Sequence, residues 1–67
     1  MTKKQIIKEI IKNKFTLIYT GKNLNTYKHN ITGEYLTKYI SDNRYWIGID
    51  TVKMHDLAPE DFIKKFS

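Results

Sequence analysis

The chain is 67 residues long, has no cysteine and carries a formal charge of +5. That length makes one small domain, 1–67, which buries only about 60% of the surface its unfolded chain exposes, so a deep catalytic cavity is excluded while a monomer and a homodimer both stay open. Without cysteine there is no disulfide and no thiolate metal site, and no apolar run approaches the roughly 20 residues of a membrane span, so the composition points to a reducing cytoplasm.

The first predicted element is an amphipathic helix over about 3–13. Thr2-Lys3-Lys4-Gln5 fits a capping box, in which Thr2 accepts from the Gln5 amide and Gln5 reaches back. Ile6, Ile7, Ile10 and Ile11 recur at helical spacing, and Lys4, Lys8 and Lys12 form a second stripe on another side. At about 15 Å the helix can lie across three strands spaced about 4.8 Å apart.

From Phe15 the pattern switches to period two, with strands over about 15–20, 24–29, 34–41 and 44–50. Three turns predict their register. Gly21-Lys22 suits a two-residue hairpin turn with Gly at the first central position, pairing Thr20 with Asn23 and Leu17 with Thr26. Asn30-Ile31-Thr32-Gly33 reads as a type I turn closed by a Gly bulge, pairing Asn30 with Glu34 and His29 with Tyr35. Asp42-Asn43 suits a type I′ turn, pairing Ile40 with Tyr45 and Tyr39 with Trp46.

Alternation then sorts the side chains onto two faces. One is aliphatic: Phe15, Leu17, Tyr19, Leu24, Leu36, Ile40, Tyr45, Ile47 and Ile49. The other carries Ile18, Tyr27, His29, Tyr35, Tyr39 and Trp46. Lys38 falls mid-sheet on the aliphatic face, beside Thr26, and Lys28 falls there nearer an edge. Lys38 must run its stem along the apolar surface and free its ammonium, unless one turn closes differently.

After Ile49 the stretch Asp50–His55 either extends the last strand through a bend or adds a short fifth strand. A short helix follows over about 59–66. Pro59 suits its first position, Glu60 and Asp61 its first turn, and Lys64 and Lys65 its last, with Phe62, Ile63 and Phe66 on its apolar side. The predicted class is α+β: a four-stranded antiparallel meander in the order α-β-β-β-β-α, with the isoleucine helix on its aliphatic face.

Tyr27, Tyr35, Tyr39 and Trp46, with His29 at the end, form the candidate partner-binding face, since Tyr and Trp dominate interface hot spots and also stack on unpaired bases. The alternative is a second core, with Phe62 and Phe66 of the last helix laid over the aromatics. Gly48 on this face allows either a close approach or a local bend. Lys4, Lys8, Lys12, Lys22 and Arg44 are the candidate nucleic-acid contacts. All basic residues except Arg44 are lysine, and abundant Ile, Asn, Lys and Tyr is what an AT-rich genome encodes whatever the function. Base readers rely on the guanidinium fork. If the isoleucines pack on the sheet, the lysine stripe also points away from the aromatics.

His29 and His55 stand 26 residues apart with no paired ligand spacing, and lone histidines are mostly surface residues. Asp56, Glu60 and Asp61 are explained by the helix start. No Gly-rich phosphate loop is present. No catalytic residue, metal or cofactor is expected. A meander with a helix on one face is similar in architecture to the arm-type DNA-binding domains of some phage and transposon integrases, a likeness that no motif carries. The pattern as a whole points to a small non-enzymatic accessory or regulatory protein of bacterial or phage type that occupies a protein partner through its aromatic face. The alternative is a small basic nucleic-acid-binding protein whose lysines meet phosphates and whose aromatics stack on bases.

Overall fold

Lys3–Lys14 forms helix α1, and the expected capping box opens it: Thr2 Oγ1 accepts from the Gln5 amide at 3.2 Å and Gln5 Oε1 accepts from the Thr2 amide at 3.0 Å. The structure, a computed structural model, describes residues 1–67. Phe15 caps α1 in extended conformation and begins β1 (Phe15–Thr20) with no loop between. β2 (Leu24–His29), β3 (Tyr35–Tyr39), β4 (Tyr45–Gly48) and β5 (His55–Leu57) follow, each antiparallel to the one before. The sheet therefore has five strands in chain order, not four. β4 stops at Gly48 because Asp50 turns the chain, its carboxylate accepting from the amides of Val52 and Lys53 at 2.9 and 2.7 Å. Helix α2 (Pro59–Phe66) closes the chain with Pro59 in its first turn and Lys64 and Lys65 in its last. No helix is long and apolar enough to cross a membrane.

All three turns close differently from the sequence expectation. A two-residue turn at Gly21 needs a positive φ there, and Gly33 is the only residue that has one. The loop widens instead, Thr20 pairs with Asn25 and Tyr19 with Thr26, and a bulge between Leu17 and Tyr19 shifts the register so that Leu17 meets Tyr27 and Phe15 meets His29. After β2, Gly33 takes the expected left-handed conformation at φ 78. Asn30, however, leaves the β2–β3 ladder and donates to the Lys14 carbonyl at 2.9 Å, while the His29 amide bonds Glu34 at 2.7 Å. The His29 ring holds that wider loop, its Nδ1 accepting from the Ile31 and Thr32 amides at 3.1 Å each. The result is a one-residue slip: Lys28 pairs with Tyr35 and Tyr27 with Leu36. At the third turn neither Asp42 nor Asn43 is left-handed, so no type I′ turn forms, and Lys38 rather than Ile40 pairs with Tyr45. That shift is two residues, which preserves parity.

Both helices pack on one face of the sheet. The core there consists of Ile7, Ile10, Phe15, Leu36, Tyr45, Ile47, Phe62 and Phe66, with Leu36, Ile47 and Phe62 fully buried. Burial raises the Tyr45 phenol above its ordinary range. Phe15, Leu36, Tyr45 and Ile47 thus lie under the helices, as expected. Lys38 does too: its stem runs along this side, its ammonium is 5.5 Å from the Tyr45 ring centroid, and it donates to the carbonyls of Tyr39 and Asp42. Tyr27 and His29 do not belong with Tyr39, contrary to the expected sorting. Cross-strand pairing puts Tyr27 on the helix face with Leu36. His29 is buried between Phe15 and Phe66, with ring centroids at 4.9 and 5.5 Å.

A helix-free sheet face with an aromatic row

The other face is covered by no helix, because α2 packs beside α1 and sends Phe62 and Phe66 into the core. Register brings Tyr19, Leu24, Thr26, Lys28, Tyr35, Thr37, Tyr39, Trp46 and Gly48 to it. Of the predicted partner-binding set, Tyr35, Tyr39 and Trp46 are here and Tyr27 and His29 are not. Tyr19 and Leu24, expected on the aliphatic side, have joined it. The bulge in β1 moves Tyr19 across, and the slip at the β2–β3 loop moves Leu24.

One row crosses the whole sheet: Tyr19 opposite Thr26, Thr26 opposite Thr37, Thr37 opposite Trp46, and Trp46 opposite Asp56. At about 4.8 Å per strand it spans about 19 Å. Thr26 Oγ1 and Thr37 Oγ1 lie 3.3 Å apart and share a hydrogen bond. Both residues are only 8% exposed although no helix lies above them, so side chains of the same face shelter them. Tyr19 is 59% and Tyr39 37% exposed. Trp46 is half-buried, and its Nε1–H is buried without a partner. The Lys28 ammonium sits 5.6 Å from the Tyr35 ring centroid. Arg44 Nε binds Asp56 Oδ2 at 2.8 Å at the far end of the row.

The loop after β4 closes one end of this face. A Cβ at Gly48 would collide with the Lys53 carbonyl oxygen and lie 3.0 Å from the Asp50 carbonyl oxygen and from Met54 Cγ. Glycine is required by the chain's own return, not by a foreign partner or by α2. Two amide donors hold the Asp50 carboxyl below the ordinary aspartate range. The loop's turn is therefore fully capped at neutral pH, and the cap is lost as pH falls through that lowered value. In an acid titration the Val52 and Lys53 amide resonances should shift together with the Asp50 carboxyl. Amides that stay fixed while it protonates would contradict this.

Apart from Lys28 and Arg44, the basic residues lie elsewhere. Lys4, Lys8 and Lys12 are exposed on α1, on the helix side of the sheet. Lys4 and Lys8 meet Lys38 and Tyr45 around a shallow cleft of about 190 Å³. Lys22 is exposed in the first hairpin turn, and Arg44 is held by Asp56. A depression of about 310 Å³ between Lys14, His29, Thr32, Glu34 and Lys65 has charged walls. Those charges serve the fold: Lys14 Nζ donates to the Phe66 carbonyl at 2.6 Å, and Lys65 pairs with Glu34 at 3.5 Å. No group of three or more acidic or histidine side chains is placed to hold a metal. Comparison with protein-family models, curated proteins and solved structures finds no match to the chain.

Proposed function

We propose that the chain is a small non-enzymatic accessory protein of bacterial or phage type, acting in the cytoplasm, that modulates a protein partner by binding it on the helix-free sheet face. The observation that carries this reading is the helix-free row from Tyr19 to Trp46, with Tyr19 at its exposed end and Tyr35 and Tyr39 flanking it. Tyr and Trp offer large rigid contact area and a polar handle at low entropic cost, and they dominate interface hot spots. The face carries one unpaired charge, Lys28 beside the Tyr35 ring, while Arg44 and Asp56 neutralise each other. Charge-poor aromatic surface suits a protein partner better than a phosphate backbone. Lys4, Lys8 and Lys12, the lysine stripe of α1, lie on the opposite side of the sheet, whereas a single-strand binder needs its basic groups beside its stacking platform.

The test uses the exposed tyrosines, whose loss leaves the core intact. Tyr19→Ala with Tyr39→Ala should weaken capture of the host partner by at least about 100-fold, the scale of a hot-spot loss. Lys8→Glu with Lys12→Glu should leave capture unchanged. If the lysine pair abolishes binding, the tyrosine pair does not, and DNA is shifted at low salt, the chain is a nucleic-acid binder and this reading fails.

A further inference from the structure

We infer that the His29 ring is a proton-operated latch: a proton on its Nδ1 releases the β2–β3 loop, so acid opens that loop before the rest of the domain unfolds. Nδ1 accepts from the Ile31 and Thr32 amides at 3.1 Å each. A ring nitrogen that accepts carries no hydrogen, so the neutral ring's single proton sits on Nε2. A second proton can go only to Nδ1. There it turns an acceptor into a donor that faces two donors, and both loop bonds break. The ring has no room to swing away, because it is 8% exposed and held between Phe15 and Phe66. The loop therefore moves and the ring stays.

The charges around the ring offer an imidazolium no free partner. Lys14 reaches the depression beside it from the end of α1, Lys65 reaches it from α2, and Glu34 is the one carboxylate side chain there. Glu34 is already engaged, by Lys65 at 3.5 Å and by Thr32 Oγ1, which donates to it at 3.1 Å. Lys14 Nζ donates to the Phe66 carbonyl at 2.6 Å, so a cation remains beside the ring. Lys28, the neighbour on β2, stands over Tyr35 on the opposite face. In the unfolded chain the same ring takes its proton without losing two bonds. The unfolded state thus binds more protons, and the latch's contribution to stability is present at neutral pH and lost as pH falls through the range in which histidine charges. More than the loop is released. The Asn30 amide donates to the Lys14 carbonyl at 2.9 Å and its side chain accepts from Thr16 Oγ1, so the same loop ties the end of α1 to β1. The latch operates whatever partner the open face takes.

A pH titration of the isotope-labelled whole chain, followed by nuclear magnetic resonance, tests this, with the exposed His55 as internal control. At the alkaline end the His29 ring nitrogens should report the Nε2–H tautomer. As pH falls, the Ile31 and Thr32 amide resonances should shift with the midpoint of the His29 ring. Their protection against hydrogen exchange, relative to a free peptide, should drop by at least about tenfold. Val52 and Lys53 should stay fixed in this step, because their two amides keep Asp50 ionised through it. His29→Asn keeps an acceptor attached to Cγ and takes no proton there, so its loop amides should ignore this pH range. An Nδ1–H tautomer overturns the inference, as do loop amides that stay fixed while the ring charges, follow His55 instead, or still shift in His29→Asn. A ring that stays neutral until the whole domain unfolds overturns it too. If His29→Asn does not fold, the wild-type titration decides alone.

Discussion

Phe62→Ala is expected to cost about 3–5 kcal/mol and to leave much of the population unfolded at room temperature. The Phe62 ring is fully buried and stands 4.8 Å from Tyr45, 4.9 Å from Phe66 and 6.1 Å from Phe15, centroid to centroid. It joins α2 to β4 and, through Phe15, to the end of α1. Removing it opens a cavity at the point where three elements meet, in a chain with few other core residues to compensate. Typical domains hold about 5–15 kcal/mol in reserve, and one this short sits near the lower limit. Urea denaturation followed by circular dichroism measures the loss. A cost below about 1 kcal/mol would mean that α2 is not docked on the core, and that its phenylalanines are free to cover the other face.

His29→Ala is expected to cost about 2–4 kcal/mol, a large figure for a polar residue. The substitution removes a ring packed between Phe15 and Phe66 and an acceptor for the Ile31 and Thr32 amides. The same change at Tyr39, more than a third exposed on the open face, should cost less than about 1 kcal/mol. The comparison separates two arrangements of the same residues. On a solvent-facing aromatic surface His29 would be as dispensable as Tyr39. Equal, small effects at both positions would remove the account of why the β2–β3 loop is one residue wider than expected.

Much of the fold is legible in local sequence signals. Thr2 and Gln5 mark the start of α1, Pro59 marks α2, and both helices occupy the ranges their patterns imply. Leu36, Tyr45 and Ile47 are legible as core because the third turn's error is an even number of residues, and Phe15 because the one-residue shifts of β1 on β2 and of β2 on β3 cancel. The candidate site is only partly legible, because strand parity is unforgiving: one residue of slip moves a side chain through the sheet. That slip was set by the His29 ring, which holds two loop amides and frees Asn30 for Lys14. Such a side-chain-to-backbone bond has no signature in hydrophobic periodicity. One signal did exist. The expected register put Lys28 and Thr26 on the aliphatic side, and moving β2 by one residue sends both to the open face, where they are found. The bulge that carries Tyr19 across has no comparable mark in Phe15–Thr20. A short fifth strand is legible only as an alternative over Asp50–His55; it forms three residues long at His55–Leu57, because Asp50 holds the Val52 and Lys53 amides and bends the chain before it.

The open face rests on the β2–β3 register, and a nuclear Overhauser spectrum reads that register directly. Cross-strand contacts are expected between Thr26 and Thr37 and between Tyr27 and Leu36, with the His29 ring protons close to those of Phe15 and Phe66. Contacts joining Thr26 to Lys38 and His29 to Tyr35 instead would return Tyr27 and His29 to the side of Tyr39 and dissolve the surface described here.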